Sequence, residues 1–193
     1  MNKELILASK SPRRLDILKN VGLNPIVSVS NVDEDIIDKS MAPVEYVKKL
    51  ASLKSNAVIN KFDKGLILGA DTIVVLDDKI LGQPQSKKDA ENMLKSLSGR
   101  DHSVITGISI IDIESGREET EAVETFVRFK ELSEYEILKY IDTGEPADKA
   151  GAYGIQGYGG LFVKKILGCY FNVVGLPIHM VYETLKKFEY EII

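Results

Sequence analysis

The chain has 193 residues, 44% of them hydrophobic and 28% charged, with a net charge of -4 and a pI near 5.4. That length buries a substantial core, either as one large domain or as two lobes sharing a sheet. The acidic balance argues against a general nucleic-acid coat and against a binder of anionic membranes, so any basic function has to be local. Cys169 is the single cysteine, which leaves no intramolecular disulfide and no cysteine zinc cluster and fits a reducing compartment. No stretch approaches the roughly 18 apolar residues of a membrane span, and Met1-Asn2-Lys3-Glu4 runs at once into an apolar strand rather than a signal peptide. The expectation is a cytoplasmic protein.

In chain order, residues 5–8 read as a short buried strand that breaks at Ser9-Lys10-Ser11-Pro12-Arg13-Arg14. Ser11 suits an N-cap and Pro12 a first helical position, with Leu15, Leu18 and Val21 as the inner face of a helix that Gly22 ends. A helix start offers free N–H groups to an anion, and the hydroxyls of Ser9 and Ser11 and the guanidinium groups of Arg13 and Arg14 lie beside it. A second strand over residues 25–30 leads into Asp33-Glu34-Asp35, a surface loop or a source of oxygen ligands for a divalent cation. Residues 43–60 form an amphipathic helix with Val44, Val47, Leu50, Ala51, Ala57 and Val58 on one face. Lys54 falls inside that apolar stripe, so it either snorkels to water or points its ammonium at an anion.

Leu66–Leu76 is an unbroken apolar run, the pattern of a strand buried on both faces. Its one acidic group is Asp71, set among Gly69, Ala70 and Thr72. An ordinary core strand has no use for that carboxylate. It is either a turn residue between two short strands or a group held rigidly at the end of a central strand, where a metal ion or a reacting water meets it.

Asp77-Asp78 marks a hairpin turn, residues 79–81 return, and Gly82-Gln83-Pro84 ends them. Ser86-Lys87-Lys88-Asp89 resembles a capping box before a helix with Ala90, Met93, Leu94 and Leu97 inward, stopped by Gly99. Residues 102–113 and 121–130 alternate as paired strands. Ser133-Glu134-Tyr135-Glu136 is a second capping box, starting a helix that Gly144 terminates. Eight of the fifteen glycines then lie from Gly144 to Gly175, where average usage of about 7% would place about two. Such a segment lets a backbone approach a ligand closely or adopt positive φ. Its Gly154-x-x-Gly157-x-Gly159-Gly160 precedes a strand rather than opening a helix, so it is no dinucleotide fingerprint. Residues 161–166 and 169–174 look like a hairpin over Leu167-Gly168, with Cys169 packed rather than reactive. A last helix follows Gly175-Leu176-Pro177. With no linker or repeat, the strands are expected to share one extended mixed sheet with helices around it.

Seven short motifs, in this order, resemble one known family over essentially the whole chain. They are Leu7-Ala8-Ser9-x-Ser11-Pro12-Arg13-Arg14, Asp33-Glu34, Leu50-Ala51 to Lys54, Gly69-Ala70-Asp71-Thr72, and Ser98-Gly99-Arg100 with His102 and Thr106-Gly107. Asp148-Lys149-Ala150-Gly151-Ala152-Tyr153-Gly154-Ile155-Gln156-Gly157 and Val174-Gly175-Leu176-Pro177 complete the set. The family is the Maf-type nucleoside triphosphate pyrophosphatases, once called septum formation proteins.

The resemblance implies a single domain over 1–193 with an α/β, inosine-triphosphatase-like fold, an extended mixed sheet flanked by helices, with two lobes around a cleft. It implies hydrolysis of a nucleoside triphosphate to monophosphate and pyrophosphate with a divalent cation, Mg or Mn. Asp71 matches the family's proton acceptor, and Arg13, Thr72 and Gln156 match positions linked to substrate choice. The Ala-Gly-Ala-Tyr-Gly-Ile-Gln-Gly form is similar to the subgroup acting on dTTP and UTP. A homodimer, a part in cell-division arrest and nucleotide-pool house-cleaning are further expectations of the same kind.

The chemistry agrees with these roles. Attack of water at the α-phosphorus needs cationic or hydrogen-bonding clamps for the charge on the leaving pyrophosphate, and Ser9, Arg13, Arg14 and Lys54 are the candidates. Asp71 serves the water or holds the metal with Glu34, and both duties stay open. Gln156 offers a donor and an acceptor to a uracil or thymine edge. One departure stands out: Gly82-Gln83-Pro84 replaces the family's Gly-Lys-Pro, removing a cation from the phosphate clamp. It motivates a second reading, a non-catalytic nucleotide-binding regulator of cell division.

Overall fold

The computed structural model describes residues 3–38 and 40–193, and of Asp35 the backbone alone. Met1 and Asn2, on which the reading of the N-terminus partly rests, and the Asp35 carboxylate lie outside the described residues. The strands β1 (Leu5–Leu7), β2 (Ile26–Val27), β3 (Leu66–Leu76), β4 (Lys79–Leu81), β5 (Asp101–Asp112), β6 (Glu118–Phe129) and β7 (Val163–Leu167) form one sheet. Its order is β2-β1-β3-β5-β6-β7, with β4 paired to β3 off that path. The helices are α1 (Pro12–Asn20), α2 (Pro43–Asn56), α3 (Lys87–Leu97), α4 (Glu134–Asp142), α5 (Tyr170–Val174) and α6 (Ile178–Lys186). The expected mixed sheet flanked by helices is present. Among the described residues no helix is long and apolar enough to cross a membrane.

The chain forms two compact units. The first runs to Asp71 and adds Thr106–Val123 and Gly175–Ile193; the second holds Thr72–Ile105 and Glu124–Val174. In the first unit β1 pairs in parallel with both β2 and β3, Ile6 opposite Ile26 and Ile67. Parallel pairing brings the loop after β1 alongside the Gly69-Ala70-Asp71 stretch, which lies in the middle of the continuous β3, so Asp71 is neither a turn residue nor a strand end. Ser11 caps α1 with Pro12 at its first position, as its sequence predicts. The inner face of α1 is Ile17 and Leu18, whereas Val21 is 41% exposed because it lies past the last helical turn.

Helix α2 buries Tyr46, Val47, Leu50, Ala51 and Ser55, while Val44, one turn ahead of Val47, stays exposed. Two glycines let this helix lie directly on the strands. A Cβ at Gly69 would meet the Ala51 carbonyl well inside contact distance and the Ser55 amide at 2.8 Å, and one at Gly107 would sit 2.5 Å from the Val47 carbonyl. Backbone therefore packs on backbone, and the buried hydroxyls of Ser55 and Ser109 meet at 2.7 Å, with Ser109 donating to Glu118.

In the second unit Asp77 and Asp78 both adopt positive φ, the two-residue turn that a tight hairpin prefers, and Val75 pairs with Ile80. Ser86 caps α3, but the Asp89 carboxylate accepts from the Gln85 amide rather than from Ser86, so the reciprocal box forms only at Ser133 and Glu136 of α4. The core packs α3 and α4 side chains such as Leu94, Leu97, Ile137 and Tyr140 against Phe129 and Tyr153.

The expected strand over 169–174 is instead the helix α5. The Asn172 amide donates to the Val104 carbonyl (2.9 Å) and the Thr125 hydroxyl (3.0 Å), and that hydroxyl also accepts from the Cys169 amide. These long-range bonds draw the segment into a helical turn although its apolar residues suit a strand. The second strand is also shorter than expected, Ile26–Val27 rather than 25–30.

Gly69→Ala should push α2 off β3. Overpacking of this kind costs about 1–3 kcal/mol, so the variant should melt below the parent in a thermal unfolding scan; an unchanged melting temperature would show that α2 yields freely.

Candidate active site

At the loop after β1, the buried Ser9 hydroxyl accepts from the Ser11 amide (3.1 Å) and from Arg14 Nη1 (3.2 Å). Arg14 Nη1 also donates to the Ala70 carbonyl at 2.9 Å, and Nε to the Gly175 carbonyl at 2.8 Å. A guanidinium presents its donors in a rigid fork, so Arg14 ties the β1 loop, β3 and the segment before α6 together. Arg13 is half-buried on the same first helical turn.

Lys54 does not snorkel. Its ammonium lies 2.5 Å from Asp71 Oδ1 and 2.8 Å from Glu34 Oε1, with 13% of its side chain exposed. The close seat of α2 on Gly69 sets this geometry, because Lys54 stands one residue before Ser55 and Asp71 two residues after Gly69. Glu34, on a single 3-10 turn, reaches in from the surface with half its side chain exposed. Burial pushes the Asp71 carboxyl above its ordinary value, opposed by Lys54 and Arg14 and aided by Glu34. The first unit thus brings together Ser9, Arg14, Glu34, Lys54 and Asp71, with Arg13 on the adjoining turn.

Thr72, Gln83 and Gln156 belong to the second unit. Thr72 is half-buried, next to Asp71 in β3 and so directed to the opposite face. Exposed Gln83 donates from Nε2 to the Asp148 carbonyl (3.3 Å), and the neighbouring Gly82 carbonyl accepts from the Gly151 amide (3.0 Å). The Gly-Gln-Pro segment is therefore pinned to the 148–151 stretch of the glycine-rich region. Gln156 is exposed.

Upstream of Gln156, the buried His102 ring places Nε2 2.8 Å from the Tyr153 hydroxyl, edge-on to Phe129 and Tyr153. Burial pushes its pKa down to about 4, which keeps the ring neutral near pH 7. Sequence reasoning missed Glu145 and Tyr140. The Tyr140 hydroxyl donates to Glu145 and accepts from the Gly154 amide, and the Glu145 carboxylate accepts from the amides of Tyr158 and Gly159. Their one signal was glycine density: a segment that small at four nearby positions has to fit around something.

The chain matches the Maf family, described as Maf-like protein, over residues 4–188. This chain belongs to the Maf family. Among its relatives, a protein of Desulforamulus reducens called dTTP/UTP pyrophosphatase is 46% identical over 99% of this chain and 100% of its own length. A protein of the same name from Ruminiclostridium cellulolyticum is also 46% identical, over 99% of each chain. The solved structure of the Staphylococcus aureus Ham1 protein aligns with a TM-score of 0.54 over 96% of this chain and 99% of that one, at 14% identity. That likeness is one of fold, shared by this Maf chain.

The raised Asp71 pKa has a definite sign for stability. A carboxyl whose folded pKa lies above its unfolded value stabilises fully while protonated and loses that contribution as pH rises through the folded pKa. Asp71→Asn should therefore gain on the parent in melting temperature as pH rises from about 4, the ordinary carboxyl value, to the raised folded pKa of Asp71. A gap that narrows over that range would mean that Lys54 and Arg14 outweigh burial.

Proposed function

We propose that this chain hydrolyses dTTP and UTP to the nucleoside monophosphate and pyrophosphate, acting as a single pyrophosphatase domain over residues 1–193. The relatives' shared name supports the substrates, and the Maf family membership supports the reaction class. The observation that carries the mechanism is the Lys54 ammonium held between Asp71 and Glu34. It puts a cation and two carboxylates within a few ångströms in the middle of β3, beside the carboxyl end of β1, and it is outside such strand ends that open α/β sheets bind ligands.

In this reading water attacks the α-phosphorus, the bond to the α,β-bridging oxygen breaks, and pyrophosphate leaves with the electron pair. Asp71 accepts the water's proton, and the same burial that raises its pKa makes it a stronger base than a surface carboxylate. Lys54 and Arg13 face the phosphates with positive charge, and Ser9 adds a hydroxyl. Arg14 contributes chiefly by holding the loop, since its guanidinium donates to two backbone carbonyls. Gln83 offers a neutral donor where the family has lysine. Thr72 and Gln156 serve substrate choice, Gln156 through the donor and acceptor of its amide.

Glu34 and Asp71 fit a divalent cation, because their oxygens converge on one ammonium and two carboxylates suffice when substrate phosphates complete the shell. A Mg or Mn ion held there would neutralise charge developing on the leaving group and acidify the water. A cytoplasmic location and a homodimer belong to the same reading through family likeness.

The test is pyrophosphate release from a panel of nucleoside triphosphates with Mg or Mn. Release from dTTP and UTP is expected; release of orthophosphate instead would point to another hydrolase class. Asp71→Asn should lower kcat by about 10²–10⁴, whereas a non-catalytic nucleotide-binding regulator would keep its nucleotide-dependent behaviour in that variant. Gln83→Lys should raise kcat/KM by about ten- to a hundredfold, as a charged donor replaces a neutral one; no change would put position 83 outside the phosphate clamp.

A further inference from the structure

The glycines between Gly154 and Gly160 crowd onto the protein's own side chains. A Cβ at Gly157 would stand 2.6 Å from Glu145 Oε1 and closer still to Oε2, and one at Gly159 would stand 2.8 Å from the Tyr140 hydroxyl and 2.7 Å from the Gly154 carbonyl. A Cβ at Gly160 would meet the Ile155 carbonyl at 2.6 Å. The loop is wound tightly around one carboxylate and one phenol, and none of these three glycines has positive φ. Absence of side chains, rather than left-handed backbone, is what the winding requires.

The hydrogen bonds are directional. Glu145 Oε1 accepts from the Tyr140 hydroxyl (2.9 Å) and the Gly159 amide (3.1 Å), and Oε2 accepts from the Tyr158 amide (2.8 Å). The Tyr140 hydroxyl, having donated, accepts from the Gly154 amide at 3.2 Å. Both carboxylate oxygens thus face donors, and the bonds land on both sides of Ile155-Gln156. An ionised carboxylate accepts at both oxygens, whereas the isosteric amide of glutamine turns an NH₂ towards an N–H whichever way it is flipped. The site calls for glutamate by charge and not only by shape.

We propose that Glu145, acting with Tyr140, is a specificity-setting positioning residue: it fixes the backbone of residues 154–160 and so aims the Gln156 amide at the pyrimidine edge of the substrate. This rests on the reading of Gln156 given above. Gln156 is exposed and its amide carries a donor and an acceptor on one short stem, so its ability to tell uracil from cytosine depends on where its own backbone holds it. A clamp on either side of the residue supplies that constraint without touching substrate.

The experiment compares steady-state kinetics on UTP and CTP, by pyrophosphate release, for the parent and for Glu145→Gln, Tyr140→Phe, Gln156→Ala and the double variant Glu145→Gln/Gln156→Ala. Glu145→Gln should lower the UTP-over-CTP ratio of kcat/KM by about tenfold, chiefly through a higher KM for UTP. Tyr140→Phe, which keeps the carboxylate and removes the bonds to Glu145 and from the Gly154 amide, should shift the ratio in the same direction by less, and it carries the test if Glu145→Gln does not fold. In the double variant the ratio should fall no further than in Gln156→Ala alone, because both act through one group. Equal losses of kcat on UTP and CTP with KM unchanged would make Glu145 a general scaffold residue and overturn the proposal. So would additive losses of the ratio in the double variant, or a ratio that Gln156→Ala leaves intact. A parent that releases no pyrophosphate from either nucleotide sinks the functional reading itself, an outcome distinct from an active parent whose selectivity ignores Glu145.

Discussion

The bond between Lys54 and Asp71 depends on one close approach, the seating of α2 on the glycines of β3 and β5. Interposed side chains normally hold a helix clear of the strands it covers, and a lysine on such a helix would have slack enough to reach water. With Gly69 and Gly107 beneath it, α2 sits backbone to backbone, and Lys54 is delivered to the carboxylate at 2.5 Å. The Ala51 carbonyl and Ser55 amide that crowd Gly69 flank Lys54 in sequence. Small residues in the strand are thus a requirement of the charged site and not merely of the core.

That site stands at a cost in stability. A carboxyl that burial pushes towards its neutral form is one that an apolar or amide replacement would leave better satisfied, and proteins tolerate such groups where chemistry needs them. The surrounding structure limits the cost with Lys54, with Arg14 fixed across Ala70 and Gly175, and with the hydroxyl of Ser9 behind it. Arg14 braces the surroundings of Asp71 through backbone carbonyls. Its guanidinium is planar and always charged, so it crosslinks carbonyls from distant parts of the chain as readily as it holds an anion.

The second unit solves a different problem. A loop with many glycines is entropically expensive to order, and here a carboxylate and a phenol supply acceptors and a donor in number enough to do it. The neutral pair of His102 and Tyr153 packs against Phe129 immediately before this loop. The exposed Gln156 is therefore borne on backbone tied to the hydrophobic core through Tyr140 and Tyr153, both of which belong to it.

The sequence by itself determined the elements whose causes are local. The cap at Ser11, the reciprocal box at Ser133 and Glu136, the hairpin turn at Asp77-Asp78 and the doubly buried run Leu66–Leu76 all follow from neighbours within a few residues. It also marked the order of motifs that the Maf family carries, and Asp71 as a carboxylate out of place in a core strand. Only the tertiary structure decided whether Lys54 snorkels or pairs, because its partners are Glu34 and Asp71, 20 and 17 residues away. It alone turned 170–174 into a helix through Val104 and Thr125, joined Arg14 to the Ala70 and Gly175 carbonyls, and showed that the glycines around Gln156 make room for Glu145. In each case the deciding bond joins residues that local propensity cannot bring together, and its energy exceeds the few tenths of a kcal/mol, roughly, by which propensities differ.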